Sequence, residues 1–158
     1  MLLLALVAVL ALLALRSSQS AQGGIQPANQ PFAPPPQPGA GGGLNAMEQA
    51  IAQYEGFNVP GSLAQRTHNP GDVGTFGGNV ASYPNDTAGF GALGNWLQSK
   101  ASANPGWDFY DMMTYYLTGD TMGTPAPGQN PNAYAEYVAG QLGVDPTTPV
   151  SQVLGGNA

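Results

Sequence analysis

The sequence predicts a mainly α fold: four to five short helices with a small β-hairpin beside the first, preceded by a hydrophobic N-terminal segment and a disordered linker. Three observations predict it. The composition changes sharply near residue 44, from Leu/Ala and then Pro/Gly runs to mixed sequence. After that point apolar residues recur at helical spacing between capping residues and Gly or Pro stops. The stretch 73–83 alone reads as two short strands about a Gly-Gly turn. The chain divides accordingly into a hydrophobic segment (1–21), a Pro/Gly-rich linker (22–44) and a folded domain (45–158).

Residues 1–15 are almost wholly Leu, Ala and Val and end at Arg16. Fifteen helical residues reach only about 22 Å against a hydrocarbon core of roughly 30 Å, which suits a signal-peptide core. No cation precedes the run, however, and Ser18-Gln19-Ser20 is an imperfect cleavage site, so an uncleaved membrane anchor with Arg16 at the membrane edge stays open. The linker is proline-rich and then glycine-rich; at about 3.1 Å per residue it reaches on the order of 70 Å. Such a tether suits a head that must reach its target.

Charge and residue types exclude several functions. The chain carries 3 cations and 9 acids, for a net charge of -6. Beyond Arg16 the cations are Arg66 and Lys100 alone, so a phosphate backbone would be repelled and nucleic acid is not an expected partner. With 0 cysteines and 1 histidine, His68, the chain has no thiol nucleophile and no Cys-based or multi-histidine metal site. We expect neither metal nor cofactor.

The first helix is expected over 45–55. Asn45 and Glu48 have capping-box spacing, Met47, Ala50, Ile51 and Tyr54 share one face, Gly56 suits a left-handed cap and Pro60 forbids continuation. Glu55 ends this helix in line with the apolar stripe. A carboxyl half-buried beside Ile51 and Tyr54, at the negative end of the helix dipole, should have its pKa raised by desolvation first and the dipole second. A glutamic acid protonated near neutrality is what a glycosidase needs to protonate a leaving oxygen. The plainer alternative is a solvated helix-end residue.

After the loop 60–72 and the hairpin, a second helix is expected from a cap at Asp86 or Thr87, with Phe90, Leu93 and Leu97 inward and Trp96 beside them. Asp108 caps a third, striped by Phe109, Met112, Met113, Tyr116 and Leu117 and ended by Gly119. Asn130 caps a fourth with Pro131 at its first position, and Tyr134, Tyr137, Val138 and Leu142 face inward. A last short helix, capped by Thr148, is expected over 149–154. Phe90, Phe109, Tyr116 and Tyr137 are assigned to the core.

The run Ala50-Ile-Ala-Gln-Tyr-Glu-Gly56, followed by Ala64-Gln-Arg66 and Asn69-Pro-Gly71, resembles a family of phage virion-associated peptidoglycan hydrolases of the lytic transglycosylase and lysozyme-like superfamily. Gly89-Phe-Gly-Ala92 resembles that family's Gly-x-x-Ala helix start, and Asn130-Pro-Asn-Ala-Tyr134 with Tyr137-Val138 and Leu142-Gly-Val144 resembles its closing helix. The resemblance covers about 46–154. His68 and Asp72 depart from it, standing where the family usually has amides. It implies an α+β lysozyme-like fold, peptidoglycan as substrate, Glu55 as general acid/base and a place in the virion beside other virion proteins; the hydrophobic residues 1–15, outside the resemblance, add association with a membrane. Export to the periplasm or cell wall is the alternative location.

Hydrolysis needs a second carboxylate, for which Asp72 and Asp86 are the nearby candidates; a lytic transglycosylase needs Glu55 alone. We therefore expect lytic transglycosylase activity, with a muramidase as the alternative. A virion membrane or vertex protein that binds peptidoglycan through such a head without cutting it is the reading from a different class. For substrate contacts, Asn69 and Gly71 could offer an amide and bare backbone to sugar hydroxyls, or simply form a turn, and Asp72 has the same Asx-turn alternative. Thr75, Tyr83 and Tyr134 are candidate wall residues for stacking on a pyranose. Arg66 either meets a peptidoglycan carboxylate or pairs with Asp72. His68 is given no role.

Overall fold

A computed structural model describes residues 43–74 and 80–155 of the chain. These residues are mainly α, in six helices: α1 (Gly43–Tyr54), α2 (Leu63–Arg66), α3 (Asp86–Ala103), α4 (Phe109–Thr118), α5 (Pro131–Leu142) and α6 (Val150–Gly155). The hydrophobic segment and nearly all of the linker lie outside them. No helix among the described residues is long and apolar enough to cross a membrane.

Helix α1 buries Met47, Ala50 and Ile51, as its stripe predicts. Its start differs. The helix begins at Gly43, inside the glycine run assigned to the linker, so Asn45 is not a cap. Glu48 is correspondingly not a capping-box partner: its side chain turns inward, 8% exposed, and a Cβ on Gly94 of α3 would overlap its Oε1. The end is as expected. Gly56 takes φ 72°, the Phe57 amide donates to Ala52 O at 2.8 Å and the Gly56 amide to Gln53 O at 3.2 Å. That paired pattern is a Schellman cap, and it makes Glu55 the C-cap residue.

Helix α2 lies in the stretch 60–72, where the sequence predicts a loop. Its signal was present: Ser62 caps it by accepting from the Gln65 amide at 3.1 Å, and Gln65 Oε1 accepts from Gly61 N–H at 2.7 Å, a variant of the capping box. The next expected element, the hairpin, is reduced among the described residues to one antiparallel bridge, Gly74 to Val80, with the Ala81 amide donating to Val73 O at 3.1 Å. Its turn lies outside the described residues.

Helix α3 is capped by Asn85, which accepts from Ala88 N–H at 3.0 Å; Asp86 is the first helical residue and not the cap. Helices α4 and α5 start on Asp108 and Asn130, and α4 stops on left-handed Gly119, as their sequence signals specify; α5 stops on left-handed Gly143. Helix α6 begins at Val150, whose amide donates to Trp107 O at 2.9 Å and ties the C-terminal turn to the start of α4.

The core is one cluster. Helix α5 packs on α4 and on α1, and α3 lies against α1 and α6. Met47, Ile51, Leu93, Leu97, Phe109, Met112, Met113, Tyr134 and Val138 are its fully buried large residues, joined by Val150. Of the aromatics assigned to the core, Phe109 is buried and Tyr116 and Tyr137 pack against the cluster half-buried. Phe90 lies outside it, meeting Phe57 edge-on at 5.5 Å.

Candidate functional site

Glu55 projects from the end of α1, and α5 comes to meet it. The Tyr134 hydroxyl donates to Glu55 Oε1 at 2.6 Å, the short distance of a charge-assisted O–H bond. Tyr134 is itself held: it is 1% exposed, stacked on Tyr54 at 3.8 Å with the planes 12° apart, and met edge-on by Tyr116 at 5.9 Å. An aromatic ring between two others has little room to turn, so the hydroxyl is fixed relative to the carboxyl.

The electrostatics follow from enclosure. Desolvation pushes the Glu55 carboxyl up to about 7; the Tyr134 hydrogen bond opposes the rise and the neighbouring Asp72 charge adds to it. No cation pairs with Glu55 among the described residues, where the ion pair found is His68 with Asp86. Burial first, and the Glu55 charge next, push both the Tyr134 and Tyr116 phenols well above their usual range, so both stay neutral donors. Asp72 is also raised by desolvation, and its Oδ1 is buried with no hydrogen-bond partner.

Asp72 reaches this corner through a tightly pinned loop. Asn69, 0% exposed, donates from Nδ2 to Val73 O at 2.9 Å and to Ala81 O at 3.1 Å, and accepts from Val73 N–H at 3.0 Å. The loop then turns at Asp72 with φ 48°, a left-handed conformation uncommon for a non-glycine residue. Gly89 on α3 lets the loop approach closely: a Cβ there would overlap His68 O.

The structure thus sorts the residues that the sequence singles out. It brings Glu55, Asp72 and Tyr134 together. Asn69 is not free to meet a sugar, because both its amide hydrogens and its oxygen are bonded inside the loop. Gly71 is buried, with the space above its Cα filled by Leu93 and the Tyr116 hydroxyl, so its bare backbone serves packing. Tyr134 is not a stacking wall; its ring is covered and its hydroxyl serves the carboxyl. Tyr83 is half-buried, with its amide bonded to Thr67 O at 2.9 Å, and close enough to Tyr116 to act on it electrostatically. Arg66 is exposed and does not pair with Asp72. Asp86 is exposed at the start of α3, with His68 Nδ1 at 2.6 Å from its Oδ1, and is not the carboxylate beside Glu55. Thr75 lies outside the described residues.

Two members of the cluster escaped sequence reasoning. The sequence sets Tyr54 on the helix stripe beside Glu55 but not as the ring on which Tyr134 stacks, and it sets Tyr116 in the core alone. Periodicity places a tyrosine on an inward face but says nothing of where its hydroxyl ends. No protein-family model, curated protein or solved structure matches the chain.

Proposed function

We propose that this chain cleaves the glycan strand of peptidoglycan as a lytic transglycosylase, with Glu55 as the single acid and base, and that it works from the virion, anchored or exported through residues 1–15. The observation that carries the reading is the Glu55 carboxyl, lifted to about 7 by burial and fixed by Tyr134. A carboxyl of that kind holds its proton in near-neutral conditions and can release it on demand. The lysozyme-like resemblance of the motifs around Glu55 and Tyr134 supports the same assignment.

Tyr134 occupies Oε1, so the transferable proton sits on Oε2. Glu55 gives that proton to the glycosidic oxygen as the bond from the anomeric carbon breaks and positive charge develops on the ring. The resulting carboxylate, stabilised by the Tyr134 hydroxyl, then takes the proton of the muramyl 6-hydroxyl. That oxygen closes on the anomeric carbon, giving a 1,6-anhydro end and returning Glu55 to its acid form.

One observation favours a second reading, hydrolysis as a muramidase. Asp72, a second carboxyl near enough to raise Glu55, has a buried oxygen free of protein partners. Two carboxyls with different environments are what hydrolysis divides into acid and base or nucleophile.

The test is digestion of purified peptidoglycan by the full-length chain beside Glu55→Gln, with mass analysis of the soluble muropeptides. Products with 1,6-anhydro ends that vanish in the variant are expected. Reducing ends would replace the transglycosylase with the muramidase. Binding to sacculi with no release would leave a non-catalytic peptidoglycan-binding head.

A further inference from the structure

Two buried polar atoms near Glu55 have no partner in the protein: Asp72 Oδ1, an acceptor, and the Tyr116 hydroxyl, a donor. Buried polar atoms are almost always bonded, to protein or to an ordered water, so such a pair marks a place where a third group belongs. The two come from different elements. Tyr116 stands on α4, and a Cβ on Gly71 would lie 2.9 Å from its hydroxyl. Asp72 is the next residue, turned there by its left-handed backbone. The Tyr116 ring meets Tyr134 edge-on, and Tyr134 holds Glu55. Donor, acceptor and acid therefore share one corner, yet Asp72 Oδ1 and Tyr116 do not satisfy each other.

We propose that Asp72 Oδ1 and the Tyr116 hydroxyl form a notch that binds one hydroxyl group, the one that attacks the anomeric carbon after Glu55 protonates the leaving oxygen. The inference rests on the glycan-cleaving reading above. Tyr116 donates to the incoming oxygen and Asp72 accepts from its O–H, which fixes the attacking lone pair. The bond from that oxygen to the anomeric carbon forms, and the glycosidic bond breaks with its electron pair and the Glu55 proton on the leaving oxygen. Two hydroxyls have the required chemistry. If water fills the notch, its proton passes to Asp72 and the product is a reducing end. If the muramyl 6-hydroxyl fills it, its single O–H, oriented at first on Asp72, turns to the Glu55 carboxylate once that has formed and gives it the proton, and the product is an anhydro end.

The experiment compares full-length wild type, Asp72→Asn and Tyr116→Phe on peptidoglycan in 18O-labelled water, alongside a high-resolution crystal structure of the full chain. Tyr116→Phe should lower kcat about ten-fold with KM unchanged. It should leave the melting temperature nearly unchanged, because it deletes a hydroxyl with no full hydrogen bond in the protein and only the neighbouring Tyr134 hydroxyl acting on it; a structural role would lower it clearly. With water in the notch, reducing ends carry one 18O and Asp72→Asn loses about a hundred-fold or more. With the 6-hydroxyl, anhydro ends are unlabelled and Asp72→Asn slows their release without changing them. Ordered density bridging Asp72 and Tyr116 is expected. A direct hydrogen bond between the two, or wild-type rates and products in both variants, overturns the proposal. If Glu55→Gln stays as active as wild type, or wild type releases nothing, the glycan-cleaving reading falls, and the density alone then decides whether the notch exists.

Discussion

Tyr134 acts on Glu55 through one bond, and the sign of its effect can be stated. The hydroxyl stabilises the charged carboxylate more than the neutral acid, so it holds the Glu55 pKa below what burial alone would set. Tyr134→Phe should raise that pKa, seen as an upward move of the carboxyl titration by 13C NMR and of the alkaline limb of activity. Stability should fall by about 1.5–3 kcal/mol above pH 7, where the bond is to a charge, and by less at pH 5. An unmoved titration would mean that the 2.6 Å bond does not form in solution. Asn69 offers a second test at this scale. Asn69→Ala removes three hydrogen bonds and strands Val73 and Ala81 backbone groups in the interior, a loss of about 3 kcal/mol by denaturant unfolding. A value near zero would show that water replaces the amide.

Among the elements, the approach of α1 to α3 rests on Gly94, where the buried Glu48 carboxyl occupies the space a side chain would need. Gly94→Ala should destabilise by about 1–3 kcal/mol through overpacking, and the double variant with Glu48→Ala should recover part of that loss. Independent, additive effects would mean that the two groups do not touch. The elements also show how far the sequence was legible. Asp108, Asn130, Gly56 and Gly119 place helix ends correctly, because caps are local chemistry read from a few adjacent residues. Asn45 misled because Gly43 and Leu44 continue the helix backwards, stabilised by contact with distant Val153. Ser62 does not stand out as a helix start because a four-residue helix has no apolar periodicity. At the site, Glu55 was legible as a carboxyl in an apolar stripe. The Asn69 pin, the covered face of Tyr134 and the bare hydroxyl of Tyr116 were not, since each depends on elements far apart in the chain.

For the whole molecule, burial raises Glu48, Glu55 and Asp72 together. A carboxyl raised by folding binds its proton more tightly in the native state, so its stabilising contribution is present at pH below the unfolded value and is lost as pH rises through the folded one. For Glu55 that window runs from 4.5 to about 7 and corresponds to roughly 3 kcal/mol. The chain should therefore melt several degrees higher at pH 5 than at pH 8, and Glu55→Gln should flatten much of that slope. A melting temperature that rises with pH would contradict the buried carboxyls.

The bond between Glu55 and Tyr134 spans 79 positions of sequence. During synthesis α1 leaves the ribosome well before α5, and until α5 docks, Glu55 is an ordinary solvated carboxylate, ionised at cellular pH. The enclosure that raises its pKa is therefore complete only when this late helix has packed, although the hydroxyl that helix brings tempers the rise. A nascent or prematurely terminated chain therefore carries Glu55 as an ionised side chain, and it is the folded state that keeps its proton on to near-neutral pH.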